Sequence, residues 1–190
     1  PRSTLFPYTT LFRSPKAGRT TLKNSLVDVL EVFCNNDYAV RTYLTKSADD
    51  AERIVQEEGA NYDVIVCAGG DGTLGNTVTG YMKSGIRVPL GYIPCGSTND
   101  FARSMDIPRE TVEAAEMIVK AEPFSIDIGS LNDKNFVYVA AFGMFSDTSY
   151  ATPQNMKNIF GHAAYVLQGI KSLANVPSYK MKVTIDGDED

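Results

Sequence analysis

The run Cys67-Ala68-Gly69-Gly70-Asp71-Gly72-Thr73-Leu74, directly after the apolar stretch Tyr62-Asp63-Val64-Ile65-Val66, holds the residues best suited to chemistry. Glycines tolerate positive φ and let backbones approach closely, so several N–H groups can face one anion where a strand passes into a helix. The chemistry that suits such a loop is phosphate binding. Gly70, Gly72 and Gly75 satisfy the spacing G-x-G-x-x-G, but a dinucleotide site also wants an acid at the end of the next strand. The next strand candidate, Val88 to Ile93, runs into Pro94 and Cys95 with no carboxylate. A P-loop wants Gly-Lys-Ser/Thr, and no lysine stands between Lys46 and Lys83. Neither template fits well.

A second loop fits better with the first. The strand candidate ending at Ile93 opens through Pro94-Cys95-Gly96-Ser97-Thr98-Asn99-Asp100-Phe101-Ala102, again a strand leading through small residues into a helix start. In an open parallel sheet, ligands sit outside the carboxyl ends of the strands. Two glycine loops side by side there suit the two ends of a triphosphate. Asp71 and Asp100 supply the hard oxygen ligands that Mg²⁺ takes, directly or through water. Each also has a plainer reading: Asp71 as a helix cap, and Asn99 and Asp100 as first-turn helix residues.

Taken together, Gly69-Gly70-Asp71-Gly72-Thr73-Leu74 and Pro94 to Ala102 resemble the diacylglycerol kinase catalytic domain, in its soluble bacterial lipid-kinase branch. Sphingosine and ceramide kinases are relatives of that family, and NAD kinases and phosphofructokinases share the first motif more distantly. The Asn99-Asp100-Phe101 segment favours the lipid kinases. The resemblance runs from Pro15 to the end of the chain. Pro15-Lys16-Ala17-Gly18 resembles the family's Asn-Pro-x-x-Gly loop, and Thr45 stands where a nucleotide-contacting threonine is usual. Asp127-Ile128-Gly129 matches the third aspartate, so that the resemblance implies a magnesium-linked network of Asp71, Asp100 and Asp127. It also implies ATP as co-substrate, held by Thr45, Gly69 to Thr73 and Gly96 to Asn99. Ser14 stands where Asn is usual, and Gly75-Asn76 replaces a common Asn-Glu.

The same resemblance implies phosphoryl transfer to a diacylglycerol-like hydroxyl, by a protein that meets the inner face of the membrane peripherally, with a homodimer as one expected assembly. The family's general base lies in a later β-sandwich-like region, so no catalytic base is assigned here and the chain reads as a C-terminally truncated fragment of low activity. Two other readings stay open. One is phosphorylation of NAD or another soluble alcohol, and the other is a nucleotide-binding module without catalysis.

Composition sets the outer limits. The 190 residues are 43% hydrophobic and 22% charged, enough for one compact α/β unit or two small ones. A net charge of −5 offers no basic field for nucleic acid and weakens attraction to anionic lipid. Cys34, Cys67 and Cys95 have no metal spacing and read as reduced cytoplasmic thiols. His162, inside an apolar helix pattern, reads as a packed or surface residue. Lys16 and Arg19 suit either phosphate or solvent. Met144, Phe145, Ile159, Phe160 and Tyr165 suit either an acyl cleft or a core.

The elements that must position these loops follow from periodicity. Residues 1–14 contain Thr-Leu-Phe twice, at Thr4 and Thr10, flanked by mirrored Arg-Ser pairs, and read as a non-native, adapter-derived segment in place of the family's first strand, set aside from functional reasoning. No run reaches the ~18 apolar residues of a membrane span. Helical spacing runs from Thr20 to Phe33, and Val40 to Thr45 reads as a strand. Ser47 caps a helix over Asp49 to Glu58 that Gly59 ends. Strand and helix then alternate: Asp63 to Ala68, Thr73 to Lys83, Val88 to Ile93, Thr98 to Met105, and a helix from Pro108 to Ala121. This predicts an α/β fold, a doubly wound parallel-sheet nucleotide-binding domain over 15–122. After Pro123 the pattern turns β-rich: strands over Phe124 to Leu131 and Phe136 to Met144, a helix over Asn155 to Leu173, and a strand over Tyr179 to Ile185. Residues 123–190 therefore read as the start of an incomplete second domain.

Overall fold

The computed structural model describes residues 8–13, 21–47, 49–131, 134–139, 184–185 and 188–189. Contacts divide the chain into two compact units, Pro1–Val139 and Ala140–Asp190. The first holds a four-stranded sheet in the order β2-β1-β3-β4, from β1 (Tyr8–Arg13), β2 (Ala39–Leu44), β3 (Val64–Gly69) and β4 (Leu90–Pro94). Every neighbouring pair is parallel. The architecture is therefore α/β with a parallel sheet. Between them run α1 (Thr21–Cys34), α2 (Asp50–Glu58) with a 3₁₀ turn at Gly59–Asn61, α3 (Asp71–Ser84), α4 (Asp100–Ser104) and α5 (Thr111–Lys120).

Alternation along β3 shows why the sheet is covered on both faces. Val66 and Ala68 join Ile93, Val29 and Phe33 of α1, and Ala114 and Ala115 of α5 in one buried cluster. Ile65 packs with Ile54 and Val55 of α2, while Cys67 packs with Leu74 and Val78 of α3 and Phe101 of α4. Successive strand residues point to opposite faces, so a near-continuous apolar strand is what a doubly covered parallel sheet requires. The α2–α3 contact is close: a Cβ on Gly80 would lie 2.7 Å from the Glu52 carbonyl oxygen and 2.8 Å from Val55 Cβ. Gly85, at φ 67°, ends α3 in the left-handed conformation that favours glycine.

Several expectations are corrected. Part of the segment set aside in the sequence has a structural place, because Tyr8–Arg13 forms the central strand between β2 and β3. Its Tyr-Thr-Thr-Leu-Phe composition is β-branched and aromatic, which suits a strand whatever its origin. Ser47 does not cap α2; its N–H instead donates to the Asp50 carboxylate at 3.0 Å, beside that of Lys46 at 2.6 Å. Gly59 stays right-handed, at φ −55°, and leads into the 3₁₀ turn. Pro108 precedes α5 rather than entering it, with Glu110 still extended before Thr111.

The strand expected from Phe124 is shorter. Among the described residues of 124–139, β5 (Gly129–Leu131) and β6 (Lys134–Phe136) pair as an antiparallel hairpin. The Phe136 ring lies where a side chain on Gly129 would stand. Ile128 and Val137 pack onto the Cys67, Leu74 and Tyr92 cluster, so the hairpin packs within the first unit. In the second unit the described residues are β7 (Thr184–Ile185) and β8 (Asp188–Glu189), an antiparallel pair. The helix expected over 155–173, most of the strand over 136–144, His162 and the apolar set from Met144 to Tyr165 lie outside the described residues. Among the described residues no helix is long and apolar enough to cross a membrane.

Candidate phosphate-binding site

The order β2-β1-β3-β4 reverses direction at β1 and β3, and a ligand crevice forms outside the carboxyl ends of strands at such a switch. The first glycine loop leaves β3 at that end, and the second leaves β4 beside it, with Gly69 and Pro94 in register. Thr45 follows β2 at the same end and is buried, 3% exposed. Lys16, Arg19 and the loop from Ser14 to Gly18 lie outside the described residues.

The two loops interlock through backbone. The Cys95 N–H donates to the Gly69 carbonyl at 2.7 Å, and the Tyr92 hydroxyl donates to the same oxygen at 3.1 Å. One step on, Gly70 and Gly96 meet with no side chain between them. Gly70 is the extended residue that opens α3, and its carbonyl accepts from Thr73 N at 2.9 Å and Leu74 N at 3.1 Å. The N–H groups of Gly70, Asp71 and Gly72 precede Thr73 N, the first intrahelical donor, and have no partner within the helix, as in any helix start. A Cβ on Gly72 or Gly75 would meet nothing within 4 Å, so the flank of α3's first turn is open. Thr73 turns back instead, its side chain against Gly69.

The second loop closes on itself. Asn99, at φ 53° and ψ 53°, accepts from Gly96 N at 2.8 Å through Oδ1 and donates to Gly96 O at 3.0 Å through Nδ2. Asparagine is among the few residues that hold this left-handed conformation readily. Ser97 is exposed at the loop's tip, and Thr98 is half-buried. Asp71 then ties loop to loop: its carboxylate accepts the N–H groups of Asp100 and Phe101, each at 3.2 Å. The capping role open to Asp71 is thus real, but it caps α4 rather than its own helix.

The three aspartates do not assemble as a direct metal-ligand set. Among the described residues no group of three His, Cys, Asp or Glu side chains could hold a metal ion. The physical reason is that Asp71 faces the amides of α4, while Asp127 is exposed ahead of β5. Asp100 is half-buried and its carboxylate has no hydrogen-bond partner among the described residues. One such carboxylate suits Mg²⁺, which usually takes one or two together with substrate phosphates and water. Tyr92 and Asp50 gave no signal in the sequence, since a tyrosine in a strand and an aspartate in a helix's first turn are ordinary.

Glycine loops interlocked at the carboxyl ends of parallel strands define the class, an α/β domain with a parallel sheet, the kind in which ligands sit at the strand ends. The chain belongs to the diacylglycerol kinase catalytic domain family, which matches residues 9–131. It is similar to a protein named diacylglycerol kinase from Staphylococcus aureus strain Newman, with 35% identity over 178 residues, 92% of this chain and 56% of that one. The same figures hold for its counterpart in strain USA300. A solved diacylglycerol kinase structure from Bacillus anthracis str. Sterne matches with a TM-score of 0.64 and 31% identity, over 70% of this chain and 50% of that one. The chain thus spans little more than half the length of the curated relatives it matches.

Proposed function

We propose that this chain is the nucleotide-binding part of an ATP-dependent lipid kinase, which phosphorylates the hydroxyl of diacylglycerol or a similar lipid. The observation that carries the reading is the Asp71 carboxylate bound to the α4 amides, which ties the two glycine loops together at the strand ends. Phosphoryl transfer depends mostly on positioning and charge neutralisation. In this reading the unpaired N–H groups at the start of α3 take phosphate oxygens, and Thr45, Ser97 and Thr98 stand near the nucleotide. Asp100 would hold Mg²⁺, with Asp71 and Asp127 as the other members of its network. Mg²⁺, when bound, neutralises charge on the phosphates.

The base that takes the lipid hydroxyl's proton is assigned to a region that the longer relatives carry. The protein works in the cytoplasm, touching the membrane from its inner face, and a homodimer is the proposed assembly. The test is radiolabelled ATP with diacylglycerol in mixed micelles, using this chain and a fusion to the remaining C-terminal region of the S. aureus relative, each with and without Asp100→Ala. Transfer by the fusion alone, lost on substitution, is the expected result. ATP binding without transfer by either protein would leave a nucleotide-binding module and sink the kinase reading. Transfer to NAD instead of lipid would move the substrate to a soluble alcohol.

A further inference from the structure

We propose that Tyr92 is a positioning residue for phosphate binding, acting through the Gly69–Gly70 peptide unit rather than by touching ligand. The inference rests on the nucleotide reading above. A peptide unit is planar and trans, and none of the described bonds is cis. The carbonyl of Gly69 and the N–H of Gly70 therefore point in opposite directions from one rigid plate, and fixing the oxygen aims the N–H.

That oxygen takes two donors, the Cys95 N–H at 2.7 Å and the Tyr92 hydroxyl at 3.1 Å. A single donor leaves the plate free to tilt about one line, and the second removes that freedom. The Gly70 N–H has no acceptor among the described residues, and it stands just ahead of the open N–H groups of α3. It is the group that such a clamp would aim at an anion.

Tyr92 is itself held. It is 4% exposed, and its ring meets the Phe101 ring edge-on at 6.0 Å, so the first turn of α4 sets where the hydroxyl lies. Burial, and next the negative charge of Asp71, push the phenol above its ordinary range, so it remains a donor throughout neutral pH. Tyr92 thus couples the second loop's helix to the first loop's peptide plane. The plainer role, a core tyrosine that only satisfies its own hydroxyl, predicts no ligand effect.

The test compares binding of ATP and of adenosine by the unmodified chain and by Tyr92→Phe, which keeps the ring against Phe101 and removes the hydroxyl. Loss of one neutral hydrogen bond predicts ATP binding weaker by about fivefold, with adenosine binding unchanged. Tyr92→Met, also apolar and without the hydroxyl, gives the same comparison if the phenylalanine variant fails to fold. Unchanged ATP affinity in the variants, or an equal fall for ATP and adenosine, overturns the proposal while leaving the nucleotide site intact. If the unmodified chain binds neither ligand, the nucleotide reading falls and this inference with it.

Discussion

Gly70 and Gly96 touch backbone to backbone: a Cβ on Gly96 would lie 2.6 Å from Gly70 Cα, and one on Gly70 would lie 3.1 Å from Gly96 Cα. Gly96→Ala therefore forces the two loops apart, with a stability loss of about 1–3 kcal/mol and weaker ATP binding. Gly72 provides the contrast, because a Cβ there meets nothing and the position is helical. Gly72→Ala is expected to stabilise by roughly 0.5–1 kcal/mol while lowering ATP affinity. Denaturant unfolding and ATP titration of both variants check the pair, and loss of stability in Gly72→Ala would contradict the open flank.

Asp71 joins loop to loop through two N–H groups that belong to another helix. Asp71→Ala leaves both without a partner, and a lost cap costs about 1–2 kcal/mol. Asp71→Asn keeps one acceptor oxygen, so its loss is smaller. A shift of the unfolding midpoint in the order Ala then Asn is expected; an alanine variant as stable as the parent would show that the contact contributes nothing.

Asn99 carries two separable duties, its left-handed backbone and its pair of bonds to Gly96. Asn99→Ala loses both, and the backbone duty alone is worth roughly 1–2 kcal/mol. Asn99→Gly restores the backbone freedom and loses only the bonds. Glycine should therefore recover part of the stability that alanine loses, while ATP binding stays weak in both. Equal stability of the two variants would place the whole effect in the side chain.

Asp50 ties down the turn after Thr45. The N–H groups of Lys46 and then Ser47 bring its carboxyl from 3.8 down to about 2. A depressed folded value means that the stabilisation is fully present above about pH 4 and disappears as pH falls through about 2. Asp50→Asn should remove that part of the acid sensitivity. Melting temperature followed across this window in both proteins is the check, and parallel curves would contradict the assignment.

The sequence made the sheet and the neighbouring strand-end glycine loops legible because apolar runs and glycines report covalent and steric necessity. Asp63 to Ala68 reads as a strand, and β3 runs over Val64–Gly69, buried on both faces of the sheet. Loop closure was less visible, since nothing along the chain says that Asp71 turns toward Phe101, thirty positions later. Tyr8–Arg13 was hidden by the repeat around it, although its composition is that of a strand. Helix starts at Asp50 and Thr111 moved because local competition decides them: a carboxylate already bonded to two amides in one case, and an extended Glu110 in the other.

The position of β1 has a kinetic consequence. Strand β1 precedes both of its sheet neighbours in the chain and lies between them, pairing with β2 on one edge and β3 on the other. Its second edge stays unsatisfied until Val64–Gly69 has been made, so sheet assembly waits on a distant, slow-forming partner. During that interval an unpaired strand edge is exposed to other nascent chains. Yield from the cell should then depend on temperature and synthesis rate more steeply than the stability of the finished domain would suggest.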